Sequence, residues 1–397
     1  MKIALLCSGL GHIARGHEAF ARGLFDLLQG TVDITLFKGG GAAHARELVV
    51  PHVPRYSDDL GGIQLPVSPK WQKAAVEVER MRVEGETFAW GALAALLAGD
   101  YDIIHCLEQE VCNVLYSQRH LFRRTPKILW SNGGAIAAAD IPQCDFVQEH
   151  SAYNLARSAR HKAFVIPHGV DMRRFHPGVV SDFRQRHGIP QDAFVVISVG
   201  TICYWHKRTD HVIREVATVP GAWLLLVGQE GPDSAAIKAL GAELMDGRVV
   251  CVTLPHEDLP QAYAAADVFT LGSLFETFGI VYIEAMAMGL PVVCTGHPNQ
   301  REIVEDGVFV DMARPGALGA ALLNLSPAMR SDLAQRGPER VRQNYDLTSL
   351  LQQYLVHYAR IAATTAELPR YTLKHKLSAN VDATWRQVRS LLNTARD

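Results

Sequence analysis

The chain has 397 residues, 48% hydrophobic and 20% charged, and a formal net charge of −2 from 39 Lys and Arg against 41 Asp and Glu. At roughly 150 residues per domain, this length predicts two or three domains, each able to bury a core without disulfide or metal staples. The charge balance argues against nucleic acid as a partner, and no apolar run reaches the roughly 18 residues that span a membrane.

The elements can be read in chain order. Apolar runs at 3–7, 32–37, 103–105, 127–130 and 164–166 are continuous rather than alternating, as in parallel strands covered on both faces. Helical patterns at 16–28 and 72–97 separate them. A turn-rich stretch from Pro167 to Gly178 reads as a linker. The pattern then restarts, with strands expected at 194–199, 223–227, 249–252, 268–271 and 291–294 and helices at 210–217 and 280–288. The fold class is therefore α/β, with two doubly wound domains whose strand ends face a cleft. From residue 328 onward the strand signals stop, and the tail reads as helical, ending in a pattern at 381–395. Seven cysteines are scattered without a CxxC pair. They read as buried reduced thiols, which together with the absence of a secretory leader pattern after Met1 predicts a cytoplasmic protein.

Two loops carry chemistry. The first follows strand one: Ser8, Gly9, Leu10, Gly11 and His12, then Gly16 opening a helix. Gly9, Gly11 and Ala14 fit the GxGxxA dinucleotide fingerprint. Its acidic partner should end strand two, where Lys38 stands instead, while Asp33 lies at the wrong end. An NAD(P)-dependent oxidoreductase is thus the weaker reading, and the loop is expected to bring backbone close to a substrate.

The second loop is richer. After the strand at 268–271, Glu276 precedes Phe278, Gly279 and Ile280, and Glu284 follows one turn inside the helix that Gly279 opens. The first turn of such a helix presents unpaired N–H groups and a positive dipole end, and it carries no acidic residue here, so a phosphate can approach. Glu284 can accept hydrogen bonds from a vicinal diol such as ribose. Glu276, on the loop, can reach a group beyond the phosphates. Gly200 ends the strand at 194–199 on the same sheet edge, and Lys207 after it supplies a cation for a diphosphate.

These residues resemble the retaining glycosyltransferase family 4, of the GT-B fold: two Rossmann-like domains facing a cleft. The resemblance rests on Glu276 and Glu284 in a Glu-x7-Glu motif, on Val165 to Asp171 with Phe175 and Pro177 as linker, on Ser198-Val199-Gly200 with Lys207, and on Tyr263 to Phe269. It implies a hexosyltransferase that retains anomeric configuration without a metal or other cofactor, moving a sugar from a UDP- or GDP-sugar to an acceptor hydroxyl. Gly200, Lys207, Arg208, Glu276, Phe278, Gly279, Ile280 and Glu284 would bind the donor, with Lys207 and Glu276 also catalytic. Lys207 and the backbone of residues 278–280 would hold the diphosphate, Glu284 the ribose and Glu276 the donor sugar. Arg208 stands in for an Arg the family often has where Thr201 occurs. A saccharide, lipid-linked or small-molecule acceptor would dock near Gly11, His12, Gly16, His105, Glu108 and Asn132. The expected boundaries are 1–170 for the acceptor domain, 171–365 for the donor domain, and 366–397 for a helical segment packing back on the first. A nucleotide-sugar epimerase on the same fold and a nucleotide-sugar-binding protein without turnover are the alternatives.

The 17 histidines show no HxH or HxxxH ligand spacing, and Asp100-Tyr101-Asp102 precedes its strand rather than following it, so no metal site is predicted. Basic residues around Leu121 and Phe122 leave peripheral contact with the inner membrane face open, against a solvated helix end.

Overall fold

In the computed structural model, residues 1–13, 15–134, 136–366 and 368 are described. The first part of the chain builds β1 Lys2–Cys7, β2 Asp33–Lys38, β3 Glu47–Val49, β4 Ile103–Cys106, β5 Lys127–Ser131, β6 Phe146–Glu149 and β7 Ala163–Val165. They pair in the order β3-β2-β1-β4-β5-β6-β7, parallel throughout. The second part builds β8 Val195–Val199, β9 Trp223–Val227, β10 Val249–Val252, β11 Val268–Thr270, β12 Val292–Thr295 and β13 Val308–Val310. Their order is β10-β9-β8-β11-β12-β13, again parallel. This is the two-domain α/β architecture expected from the continuous apolar runs.

Alternation along β1 explains why those runs have no polar face. Ile3, Leu5 and Cys7 pack under helix Gly16–Leu28, while Ala4 and Leu6 pack under helices Pro69–Gly99 and Gln109–Gln118. Both faces are dry, so every position is apolar. Strand order reverses beside β1 and beside β8, and the crevices at the carboxyl ends of those strands are where such sheets bind ligands.

Strands β3, β6 and β13 were not expected. Two of them have only three residues. β6 carries Gln148 and ends in Glu149, both fully buried. Gln148 finds its partners elsewhere in the chain, donating to the Ile166 carbonyl and the Tyr354 hydroxyl, so its polarity hid a strand.

The chain crosses between the domains twice at one place. Val170 accepts the Leu347 amide and donates to the Tyr345 carbonyl, at 3.0 and 2.9 Å. Asp346 then caps helix Leu347–Ala362, which lies on the first sheet with Leu350, Tyr354, Tyr358 and Ile361 in its core. The return crossing therefore occurs within the span assigned from sequence to the second domain, ahead of residue 366. Of the expected segment 366–397, all but residues 366 and 368 lies outside the described residues. All seven cysteines are unpaired, five of them buried, and among the described residues no helix is long and apolar enough to cross a membrane.

Candidate functional site

The cluster expected to bind a donor assembles at the carboxyl ends of β8 and β11. Gly279 takes a left-handed conformation, φ 83°, and opens helix Ile280–Ala287. A Cβ there would lie 2.6 Å from the Tyr282 ring, so the turn admits glycine and leaves the helix end open. Phe278 is buried, with its ring against His168 and Tyr345, which leaves its backbone on the helix end. The amides at such a helix start are suited to receive an anion.

Glu276 is buried, and both its carboxylate oxygens are held. Lys207 Nζ and Ser273 Oγ each donate to Oε1 at 2.6 Å, and His206 Nε2 lies 3.2 Å from Oε2. Burial opposes ionisation, but the Lys207 ammonium and the His206 ring outweigh it and hold the pKa at about 2. The loop backbone is fixed as well. Gln300 accepts from the Glu276 amide and donates to its carbonyl, at 3.2 and 2.8 Å. Lys207 reaches Glu276 over Gly200, where a Cβ would approach the lysine stem at 3.0 Å. The group is a pre-formed carboxylate–ammonium pair beside a helix end: the ammonium can turn to a diphosphate, and the carboxylate can accept sugar hydroxyls.

Glu284, one turn into the helix, is buried. His256 Nε2 stands 2.7 Å from its Oε1, and Tyr263 donates its hydroxyl to Oε2 at 2.8 Å. Burial and the adjacent carboxylate push the Tyr263 phenol well above its ordinary value, so it remains a donor. His256 is half-exposed beside Glu284, which leaves a wet edge where a diol can bind.

Arg208 does not join this group. It sits in the left-handed region, φ 47°, and its guanidinium donates to the carbonyls of Gly272 and Met312. It ties the loop after β8 to the end of β11 instead of facing a phosphate.

The first-domain loop is built of close backbone approaches. A Cβ on Gly11, φ 102°, would lie 2.2 Å from the Gly40 carbonyl, so this glycine serves packing between two loops. Gly16 lies opposite Ile280, its Cβ position 3.7 Å from the Ile280 side chain. The starts of helices Gly16–Leu28 and Ile280–Ala287 thus face each other across the cleft.

His12 and Glu108 belong to a charged nest below that cleft. His12 Nε2 is 2.9 Å from Glu84 Oε1. Glu84 is fully buried in the long helix Pro69–Gly99 and also accepts from the Arg55 amide and guanidinium. Burial raises its pKa, but His12 and Arg55 outweigh that and hold it at about 2. Glu108 Oε1 accepts from the Ser8 amide and hydroxyl at 2.8 and 3.1 Å and lies 3.6 Å from His17 Nε2. Burial opposes the charged His17 ring, yet Glu108 raises its pKa.

Two trios here could offer metal ligands within 4.8 Å of one another: His12, His52 and Glu84, and Cys7, His17 and Glu108. In the first, Arg55 already neutralises the carboxylate. In the second, burial keeps the Cys7 thiol protonated. Both read as hydrogen-bonded pairs.

Two expected acceptor residues are not on the cleft wall. His105 is fully buried, with Nδ1 2.8 Å from the Tyr358 hydroxyl and Nε2 2.7 Å from Ser131 Oγ. Burial drops its pKa to about 3, and its work is to seat helix Leu347–Ala362. Asn132 is buried with both ends occupied: it donates to Glu149 at 3.0 and 3.2 Å and accepts from the Gly134 amide. Position at a strand end suggested exposure, but a crossing helix and β6 cover them.

Three other readings are resolved by contacts. Lys38, which stands where the dinucleotide fingerprint wants its acidic residue, is buried and ion-paired to Glu47. Asp102 accepts the Lys2 amide and pairs with Arg124 at the amino edge of β4. Arg119 is buried against Asp145 and Phe122 is in the core, so the basic spot considered for a membrane reduces to Leu121, Arg123 and Arg124. Sequence reasoning missed His206, Ser273, Tyr263, Asn299 and Gln300. A usable signal was His297-Pro298 after β12, which starts helix Pro298–Val304 and aims Asn299 and Gln300 at the Glu276 loop.

Residues 179–339 match the family model for glycosyl transferases group 1. The chain is 32% identical over 198 residues to D-inositol 3-phosphate glycosyltransferase 1 of Catenulispora acidiphila, covering 46% of this chain and 47% of that one. It is 31% identical over 253 residues to mannosylfructose-phosphate synthase of Agrobacterium fabrum, covering 57% and 53%. The chain thus spans about half the length of the curated relatives it matches. Its fold is similar to that of sucrose-phosphate synthase from Thermosynechococcus elongatus, with TM-score 0.74, 22% identity and coverage of 91% and 99%. It is also similar to Anabaena HepE in complex with UDP-glucose, with TM-score 0.71, 18% identity and coverage of 91% and 100%. The fold is GT-B, and within it residues 179–339 form a domain similar to glycosyl transferases group 1.

Proposed function

We propose that the protein transfers a sugar from a nucleoside-diphosphate sugar to an acceptor hydroxyl, with retention of anomeric configuration and without a metal ion. The observation that carries this reading is the Lys207–Glu276 pair beside the open end of helix Ile280–Ala287, with Glu284 one turn further in. The diphosphate lies on the helix end and Lys207, the ribose on Glu284, and the donor sugar on Glu276. That HepE was solved with UDP-glucose on a similar fold supports a donor of this class.

In the transfer, the bond between the anomeric carbon and the β-phosphate oxygen breaks. The acceptor oxygen bonds to the same face, and its proton passes to the departing phosphate. Fixed donors at the leaving oxygens stabilise the charge that develops there, which is the role a metal would otherwise fill. The acceptor enters from the first-domain side, beside Gly16, His12 and Glu108.

A thermal-shift panel of UDP, GDP, ADP, dTDP, NAD and NADP tests the reading. A ligand at 100 times its Kd adds about 2.7 kcal/mol. Stabilisation by one nucleoside diphosphate is expected, followed by release of that nucleotide from its sugar ester. Stabilisation by NAD(P) alone would overturn it.

A further inference from the structure

We propose that Asn154, with the short helix that carries it, is a clamp through which the first domain positions Glu276; the inference rests on the donor-sugar role given to Glu276 above. Helix Ala152–Arg157 follows β6 in the first domain. Its start is docked on the second domain. The Glu302 carboxylate accepts the amides of Ala152 and Tyr153 at 2.7 and 2.9 Å, and Ser151 Oγ donates to Asn299 Oδ1 at 2.7 Å. From this helix Asn154, itself buried, donates Nδ2 to the Thr277 carbonyl at 3.0 Å. Asn299 Nδ2 donates to the same carbonyl at 2.6 Å and to the Glu276 carbonyl at 2.9 Å.

Four hydrogen bonds therefore cross between the domains at one spot, and one of them ends on the residue next to Glu276. Parting the domains removes one donor from the Thr277 carbonyl and one from Asn299, which holds the Glu276 carbonyl. The loop then keeps only its second-domain supports, Gln300 and Asn299, and is held less tightly. The contacts of Glu284 with His256 and Tyr263 lie wholly within the second domain and stay as they are. The division has a functional consequence. Nucleotide recognition belongs to the second domain alone, whereas recognition of the transferred sugar requires the domains to be docked. A free nucleotide sugar is then held in reacting geometry only when the acceptor side is in place, which limits its loss to water. Asn154 is a positioning residue in this scheme.

Asn154→Asp is nearly isosteric and removes the donor. Calorimetry with UDP and UDP-glucose, or with the GDP pair if guanine is the base found, reads the effect. The affinity for the bare nucleotide is expected to stay within about twofold of wild type, and that for the sugar nucleotide to fall about tenfold. Unchanged affinity for both ligands would overturn the clamp, and so would an equal loss for both. A wild-type protein that binds the two ligands identically would overturn the role of Glu276 instead. In that event small-angle scattering of the Asn154→Asp, Glu302→Gln double variant decides the clamp. A larger radius of gyration than wild type supports it, and an identical one rules it out.

Discussion

Lys207 Nζ lies 2.6 Å from Glu276 Oε1, although 69 residues of chain separate them. The two side chains leave the ends of neighbouring strands, β8 and β11, and meet above the point where the strand order of the second sheet reverses. The pair neutralises a buried carboxylate and keeps a cation beside the start of helix Ile280–Ala287.

Replacing that cation should be felt in transfer. Lys207→Ala removes a charge-assisted hydrogen bond worth about 1.5–3 kcal/mol, or roughly 10- to 150-fold in kcat/KM. Steady-state kinetics with the donor found by the nucleotide panel checks it, and an unchanged kcat/KM would take Lys207 out of the site.

Acid should weaken the fold through Glu276. Its pKa of about 2 lies below the ordinary 4.5, so the folded state binds fewer protons than the unfolded state between these values. The stabilisation is fully present above about pH 4.5 and is lost as pH falls toward 2, amounting to about 3 kcal/mol by linkage. In Lys207→Met, burial acts with one fewer opposing charge and the carboxyl pKa moves up. Urea midpoints of wild type and variant should therefore differ most above pH 5 and converge toward pH 2. A constant difference across that range would count against the pair.

The two glutamates should separate by ligand. Glu284→Gln is expected to weaken binding of the bare nucleoside diphosphate about tenfold, because one diol hydroxyl loses a charged acceptor worth about 1.5 kcal/mol. Glu276→Gln should leave bare nucleotide binding near wild type and weaken the sugar nucleotide. Titration calorimetry of both ligands on both variants distinguishes them; equal losses of bare nucleotide affinity contradict the division.

Glu84→Ala should destabilise the first domain. It leaves Arg55 buried without its carboxylate and His12 without a partner. Breaking a buried pair in this way costs about 3–5 kcal/mol. For a domain of this size that is a Tm drop of roughly 6–20 °C, to be read by calorimetric scanning.

Tyr358→Phe tests the place found for His105. The variant leaves a buried imidazole nitrogen without its hydroxyl, at a cost of about 1–3 kcal/mol in stability. The KM for acceptor should not move. A raised acceptor KM at unchanged stability would return His105 to the cleft.

How much of this was legible beforehand depends on how far along the chain each interaction reaches. Strand and helix positions came from periodicity, which is a local property, and so did the Glu276–Gly279–Glu284 run, because loop, helix start and first turns are contiguous. Lys207 could be added because one rule, ligands at carboxyl ends of parallel strands, relates separate segments. Where a polar side chain ends up is different. His105, Asn132 and Arg208 stand at strand ends as Lys207 does. Yet Tyr358, Glu149 and the carbonyls of Gly272 and Met312 claim them. Those partners lie 17 to 253 residues away, and no spacing announces them.

The amino-acid sequence by itself determined the α/β class, the two sheets, and the placing of Glu276 and Glu284 about one helix start, since these follow from burial patterns and backbone geometry over a few neighbouring residues. Only the tertiary structure decided that the chain crosses back before residue 366, that Glu84 and Arg55 anchor the first-domain loop, and that Asn154 touches the loop of Glu276. Those outcomes depend on which buried polar group satisfies which other one. Such pairing is enforced by the cost of leaving either unpaired in a dry interior, and it becomes visible only once the elements are packed.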